Sequence, residues 1–182
     1  AMNIVGDREV PKDEIVVVGG IQFNEGIQGN CHLQHLTLCQ ANYSGVHGCS
    51  SFTMEDVLVK QCKYHGVQAH GVGVVGQCTN VEVRNCRKCG VYASNGASIT
   101  LSGANTTVLH NCTTGSSGDY GLSVGKNARI GITSPLTKET VSTDNGGGGN
   151  FGEKRYGTIN NITEEGTLKW LDSCKLDTIL NY

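Results

Sequence analysis

Proline is scarce in this chain, 2 of 182 residues, and Phe, Tyr and Trp together make up only 5%. With so few large rings, a core has to be filled by Val, Ile, Leu, Ala and Cys. Neither sign of charge dominates: 14 Lys and Arg stand against 16 Asp and Glu, a formal net charge of −2. That balance excludes the overall electrostatic footprint of a nucleic-acid or anionic-membrane binder. No stretch approaches the ~20 consecutive apolar residues of a membrane-spanning helix. No secretory leader pattern is read in the opening residues. Glycine, by contrast, is abundant: 26 residues, roughly twice the usual ~7%. Glycine without proline suits tight turns between many short strands. The length allows one domain with a sizeable core.

The order in the sequence is a repeat. Gln40-Ala41, Gln61-Cys62, Asn85-Cys86 and Asn111-Cys112 recur at spacings of 21, 24 and 26 residues. Each follows an alternating apolar run: Leu36-Thr-Leu38, Val57-Leu-Val59, Val81-Glu-Val83 and Thr107-Val-Leu109. Each precedes a glycine and an apolar residue: Gly45-Val46, Gly66-Val67, Gly90-Val91 and Gly121-Leu122. A third run closes the unit: Phe52-Thr-Met54, Val72-Gly-Val74, Ile99-Thr-Leu101 and Ile130-Gly-Ile132. A fixed period of this size marks a stacked repeat architecture. Three short strands per repeat, with no helical period between them, predict an all-β, right-handed parallel β-helix of four to five coils.

Alternation assigns faces. On the first strand, Leu36, Val57, Val81 and Thr107, and then Leu38, Val59, Val83 and Leu109, are predicted to point inward. Cys39, Lys60, Arg84 and His110 point outward. On the second strand, Val46, Val67, Val91 and Leu122 point inward, and His47, Gln68, Tyr92 and Ser123 outward. Gln40, Gln61, Asn85 and Asn111 are expected to form an amide ladder in the turn. Gly29-Asn-Cys31-His-Leu33 echoes Gly76-Gln-Cys78, so the stack begins before Leu36. Nine cysteines follow the repeat and not a disulfide framework. Cys62, Cys86 and Cys112 are expected to stack as buried free thiols, coils being ~4.8 Å apart. The cysteines, with a glycosylation sequon at Asn111 inside the turn ladder, point to an intracellular or virion-associated protein.

Four segments result: a polar lead-in over 1–13, the β-helix over 14–133, a loop and terminal strand over 134–166, and a capping helix or tail over 167–182. In the last, Leu168, Trp170, Leu171 and Cys174 show helical spacing. Eight residues separate Cys112 from Gly121, where three separate Cys86 from Gly90. Insertions in solenoids map to loops that often carry binding. Gly146–Gly149 lacks the strand–loop–helix context of a phosphate cradle and reads as a surface turn.

The repeat over residues 14–133 resembles the pectate-lyase-like right-handed β-helix superfamily, nearest to members built from NosD-like or carbohydrate-binding-and-sugar-hydrolase repeats. The segment from Ser134 to Asn150 resembles uncharacterised repeat proteins of algae and large protist DNA viruses. The first resemblance implies polysaccharide chemistry. Lyases of that superfamily hold Ca²⁺ with several carboxylates beside an Arg or Lys base. The outward first-strand face here offers only Glu82, next to Lys60, Arg84 and His110, and one carboxylate cannot supply about six to eight oxygens. Its hydrolases need paired carboxylates about 5–9.5 Å apart, and their Asp pair, Gly-His-Gly and Arg-x-Lys motifs are absent. Glu55-Asp56 falls in an inter-strand turn and reads as solvated charge. Cys86-x-x-Cys89 has no second pair at zinc spacing.

The reading is a non-catalytic structural or recognition module, without cofactor or metal. His47, Gln68, Tyr92, Ser123, Asp119 and Tyr120 would bind an extended glycan or a protein partner. The alternative is a lyase or epimerase with Arg84 or Lys60 as base and His110 or Tyr92 assisting.

Overall fold

The computed structural model describes residues 2–163, together with Gly166, Lys169, Trp170, Asp172 and Ser173. In chain order the elements begin with β1 (Asn3–Val5), β2 (Val16–Val18), β3 (Ile21–Phe23), β4 (Cys31–Cys39), β5 (Val46–Gly48) and β6 (Phe52–Lys60). They continue with β7 (Val67–His70), β8 (Val75–Thr79), β9 (Glu82–Arg84), β10 (Val91–Ser94), β11 (Ser98–Ser102) and β12 (Thr107–Leu109). The last are β13 (Leu122–Val124), β14 (Arg129–Thr133), α1 (Lys138–Val141), β15 (Ser142–Thr143), β16 (Phe151–Glu153) and β17 (Thr158–Ile162).

Among the described residues the strands form two parallel sheets with a solenoid-like curl. The larger has 11 strands, ordered β15-β12-β9-β6-β8-β11-β14-β17, with β4 beside β6 and β1 and β2 beside β4. The smaller has 6, ordered β16-β13-β10-β7-β5-β3. Strand pairing turns sequence alternation into rows. Leu38, Val59, Val83 and Val108 are in register and fully buried. So are Val46, Val67, Val91 and Leu122. Phe52, Gly76, Ile99 and Ile130 make a third row. Gly76 is the space that Phe52 needs: a Cβ there would lie 2.6 Å from the ring. These rows merge into one apolar core.

Several registers differ from the sequence reading. Leu109, not His110, pairs with Arg84, so Val108 points inward and Thr107 and Leu109 do not. His110 occupies the left-handed bend instead, at φ 54, as Gln40, Gln61 and Asn85 do at φ 57, 58 and 58. Those three amides are exposed, and their work is to tolerate that conformation. The inward step after the bend is therefore Ala41, Cys62, Cys86 and Asn111. Cys62 and Cys86 share the row as expected, but Cys112 lies one residue beyond it, buried all the same. In the second repeat the third strand is Val75–Thr79, because Gly71 and Gly73 turn at φ 113 and 76 and leave Val72 exposed. Cys78 consequently pairs with Met54, one row away from Cys31.

Residues 1–13 are more than a polar lead-in: Ile4 pairs with Leu33 through β1. At the other end Lys169, Trp170, Asp172 and Ser173 are helical. Trp170 lies so close over Gly131 that a Cβ there would be 2.7 Å from its ring. The rest of the predicted capping helix or tail over 167–182 lies outside the described residues.

Candidate functional site

The outward row of the smaller sheet runs Gln22, His47, Gln68, Tyr92, Ser123 in direct register. Sequence alternation placed it correctly, but not its accessibility. Gln68 is 7% exposed and Ser123 2%. Ser44 donates to Gln68 Oε1 at 3.1 Å. His47 is half-buried, and burial, aided by the charge of His70, holds its pKa below the ordinary imidazole value.

A second row lies beside the first and escaped the sequence reading. It comes from the turn residues just before Gly45, Gly66 and Gly90. Two places before the glycines stand Tyr43, Tyr64 and Lys88; one place before stand Ser44, His65 and Cys89. Each glycine is needed because a Cβ would meet Val59, Val83 or Val108 at 2.2–2.4 Å, so the turn can press onto the first strand. The turns thus stack, with Lys88 N–H donating to Tyr64 O. Tyr43 and Tyr64 are parallel at 4.6 Å between centroids, and Lys88 Nζ sits 4.0 Å over the Tyr64 ring. Both Tyr64 faces are therefore taken. His65 is wedged between Tyr64 and Tyr92, at 4.4 and 4.8 Å. Burial, reinforced by the Lys88 charge, pushes its pKa down to about 3, so it is a neutral imidazole at physiological pH. Alignment on the glycines alone would have exposed this row.

The inserted loop, Thr113–Tyr120, closes one side of a cleft. Cys89 Sγ donates to Asp119 Oδ1 at 3.7 Å and accepts from Tyr120 N–H at 3.4 Å. Lys154 Nζ donates to Gly118 O at 2.8 Å. Beneath the loop lies the glycine turn, with Gly148 N–H donating to Asp119 O. A Cβ at Gly148 or Gly152 would sit 2.5 Å from the Tyr120 ring. The glycines thus seat the loop, and Tyr120 is its anchor; Asp119 is the one that lines the cleft. Tyr64, Lys88, Tyr92, Asp119, Ser123 and Lys154 border this space of about 210 Å³. A second cleft of about 300 Å³ adjoins it across Tyr92 and Lys154, lined also by Asn95, Lys126 and Arg155.

Of the candidates for a lyase, Lys60 and Arg84 lie apart on the larger sheet, whereas Tyr92 is on the smaller. Lys60 and Arg84 are register partners, and Arg84 Nε is 2.7 Å from Glu82 Oε1. His110 is out of their row. A third cluster was also missed. His35 and Asp56, both in left-handed bends at φ 51, stack 21 residues apart. Asp56 receives Lys12 Nζ at 2.5 Å and His35 Nδ1 at 2.6 Å, while His35 Nε2 donates to Val10 O at 2.9 Å. Asp56 is thus an ion-pair centre and not a solvated turn charge.

Among the described residues no group of three or more His, Cys, Asp or Glu is placed to hold a metal ion, and no helix is long and apolar enough to cross a membrane. Comparison of the chain with family models, with curated proteins and with solved structures gives no match.

Proposed function

We propose that the chain is a right-handed parallel β-helix acting as a non-catalytic recognition module, which holds an extended glycan along the outward face of its smaller sheet. The handedness follows the strong bias of parallel strand connections. One observation carries the function: the row of His47, Gln68, Tyr92 and Ser123, in which His47 and Tyr92 are the partly exposed members, runs beside the stacked turn residues Tyr43, Tyr64 and Lys88 into a loop-walled cleft. Strand spacing repeats donors and acceptors every ~4.8 Å, a fit for a polymer. The Tyr64 and Tyr92 phenols, the Asn95 amide and the Asp119 carboxylate, which border the clefts, are groups that hydrogen-bond sugar hydroxyls.

The lyase or epimerase reading asks Arg84 or Lys60 to act as base. Arg84 is committed to Glu82, and among the described residues no group of three or more His, Cys, Asp or Glu is gathered as a cation site. A panel of neutral and uronate polysaccharides, read for both binding and unsaturated products, separates the readings. Binding without turnover is expected, weakened about tenfold or more by Tyr92→Ala and untouched by Arg84→Ala. Unsaturated sugar ends that vanish in Arg84→Ala would overturn the proposal.

A further inference from the structure

We infer that the glycan held on this face is acidic, and that its negative groups are met by Lys88, Lys154, Lys126 and Arg155 in the two adjoining clefts. The inference rests on the recognition reading above and adds the ligand's charge. Its basis is local: the chain carries a net charge of −2, yet these four cations border the paired clefts, with Asp119 the only carboxylate among the described residues that line them. The carboxylate ion pairs among the described residues are Lys12–Asp56, His35–Asp56 and Arg84–Glu82. None of the four cations is among them. Lys88 is held by the Tyr64 ring and Lys154 by Gly118 O and the Tyr120 ring, and neither is ion-paired to a carboxylate among the described residues.

Lys126 and Arg155 are set close together by the stack. Gly96 N–H donates to Lys126 O, and Asn127 N–H donates to Arg155 O. Both line the second cleft, so an anion entering it meets two cations. A long polymer with one negative group per sugar unit would place such groups in both clefts at once.

The two rings that line the clefts, Tyr64 and Tyr92, favour a sugar over a nucleic acid there. Sequence-tolerant nucleic-acid binding stacks bases on open aromatic faces, and both faces of Tyr64 are covered by Tyr43 and Lys88. Tyr92 is flanked by His65, and its hydroxyl lies against Gly125, where a Cβ would be 3.0 Å away.

The test uses dextran, carboxymethyl-dextran and dextran sulfate of one chain length, with a single-stranded oligothymidylate as fourth probe, titrated into the full chain at low and physiological salt. Carboxymethyl-dextran and dextran sulfate are expected to bind at least about tenfold tighter than dextran, with the difference shrinking as salt rises. Lys126→Glu should abolish that preference. Arg8→Glu, an equal charge change at an exposed site near the His35 cluster, should keep it. Thermal unfolding of both variants verifies that they fold. Dextran binding as tightly as its charged forms would overturn the acidic assignment and leave glycan recognition standing. Equal loss in Arg8→Glu would reduce the effect to net charge and also overturn it. Preference for oligothymidylate would replace the glycan by a polyphosphate. Silence towards all four probes would remove the acidic assignment, and silence towards the wider panel above would remove the recognition reading with it.

Discussion

Asn111 is the polar side chain that matters most inside the stack. It is 1% exposed. Its Oδ1 accepts from Cys86 N–H at 3.0 Å, and its Nδ2 donates to Val83 O at 3.0 Å and Leu109 O at 3.1 Å. Asn145 repeats the motif one step on, donating to Val108 O and Thr143 O and accepting from Asn111 N–H. The amide ladder expected over Gln40, Gln61, Asn85 and Asn111 therefore begins at Asn111 and continues to Asn145, while the first three amides sit in the exposed bend. His110-Asn111 replaces the Asn85-Cys86 step, and the neighbouring Asn111-Cys112 pair imitates it. Asn111→Leu leaves several buried backbone groups unpaired and should cost about 2–4 kcal/mol in denaturant unfolding. A cost near zero would mean the ladder is incidental. The thiols behave differently. Cys62 and Cys86 are fully buried, and each donates to a carbonyl two residues back, at 3.6 Å. Burial lifts Cys78 and Cys112 to about 12. Replacement of Cys62 or Cys86 by Ser should destabilise by about 1–3 kcal/mol, and by Ala less. With a thiol reagent on the native chain, Cys49, the half-buried one, should react before any other described cysteine. Rapid labelling of Cys86 would contradict the register.

The strands that bend show what alternation can and cannot reveal. β4 and β6 each run nine residues through a left-handed bend, at His35 and at Asp56. Stacking of the bends brings these side chains together, so the pair was readable from its repeat spacing once the bends were aligned. Two hydrogen bonds, to Val10 O and then to Asp56, raise the His35 pKa above 6.5. Burial works against ionising Asp56, but hydrogen bonds from Lys12 and His35 outweigh it and hold its carboxyl below 3.8. Arg8 and Glu55 face the same cleft. The His35 contribution is thus full below pH 6.5 and fades as pH rises through its raised value. The Asp56 contribution is full above pH 3.8 and fades as pH falls through its lowered value. Residues 7–14 should be held most firmly between those limits. Thermal midpoints of His35→Gln and the parent should differ most below pH 6.5 and converge at alkaline pH. A gap that ignores pH would show that the charge does nothing. The third strand of the second repeat was misread for a different reason: Val72-Gly-Val74 alternates like a strand, but the positive φ of Gly71 and Gly73 is invisible to alternation.

The parallel stack was legible because one period fixed three rows at once, and a slip of one residue would have exposed an entire face. The proposed binding face was only half legible. Alternation found the row of His47, Gln68, Tyr92 and Ser123, since it lies on a strand. It missed Tyr43, Tyr64, Lys88 and Lys154, which lie in turns or beyond the repeat and meet the row only through stacking. The account therefore stands on where a glycan lands. Amide chemical-shift mapping with a carboxymethyl-dextran oligosaccharide tests this most directly. Perturbations should concentrate on Tyr64, Lys88, Tyr92, Asp119, Ser123, Lys126 and Arg155 and spare Lys60, Glu82 and Arg84. Perturbations centred on Lys60 and Arg84, with the smaller sheet silent, would contradict the account and return the larger sheet to consideration as a catalytic face.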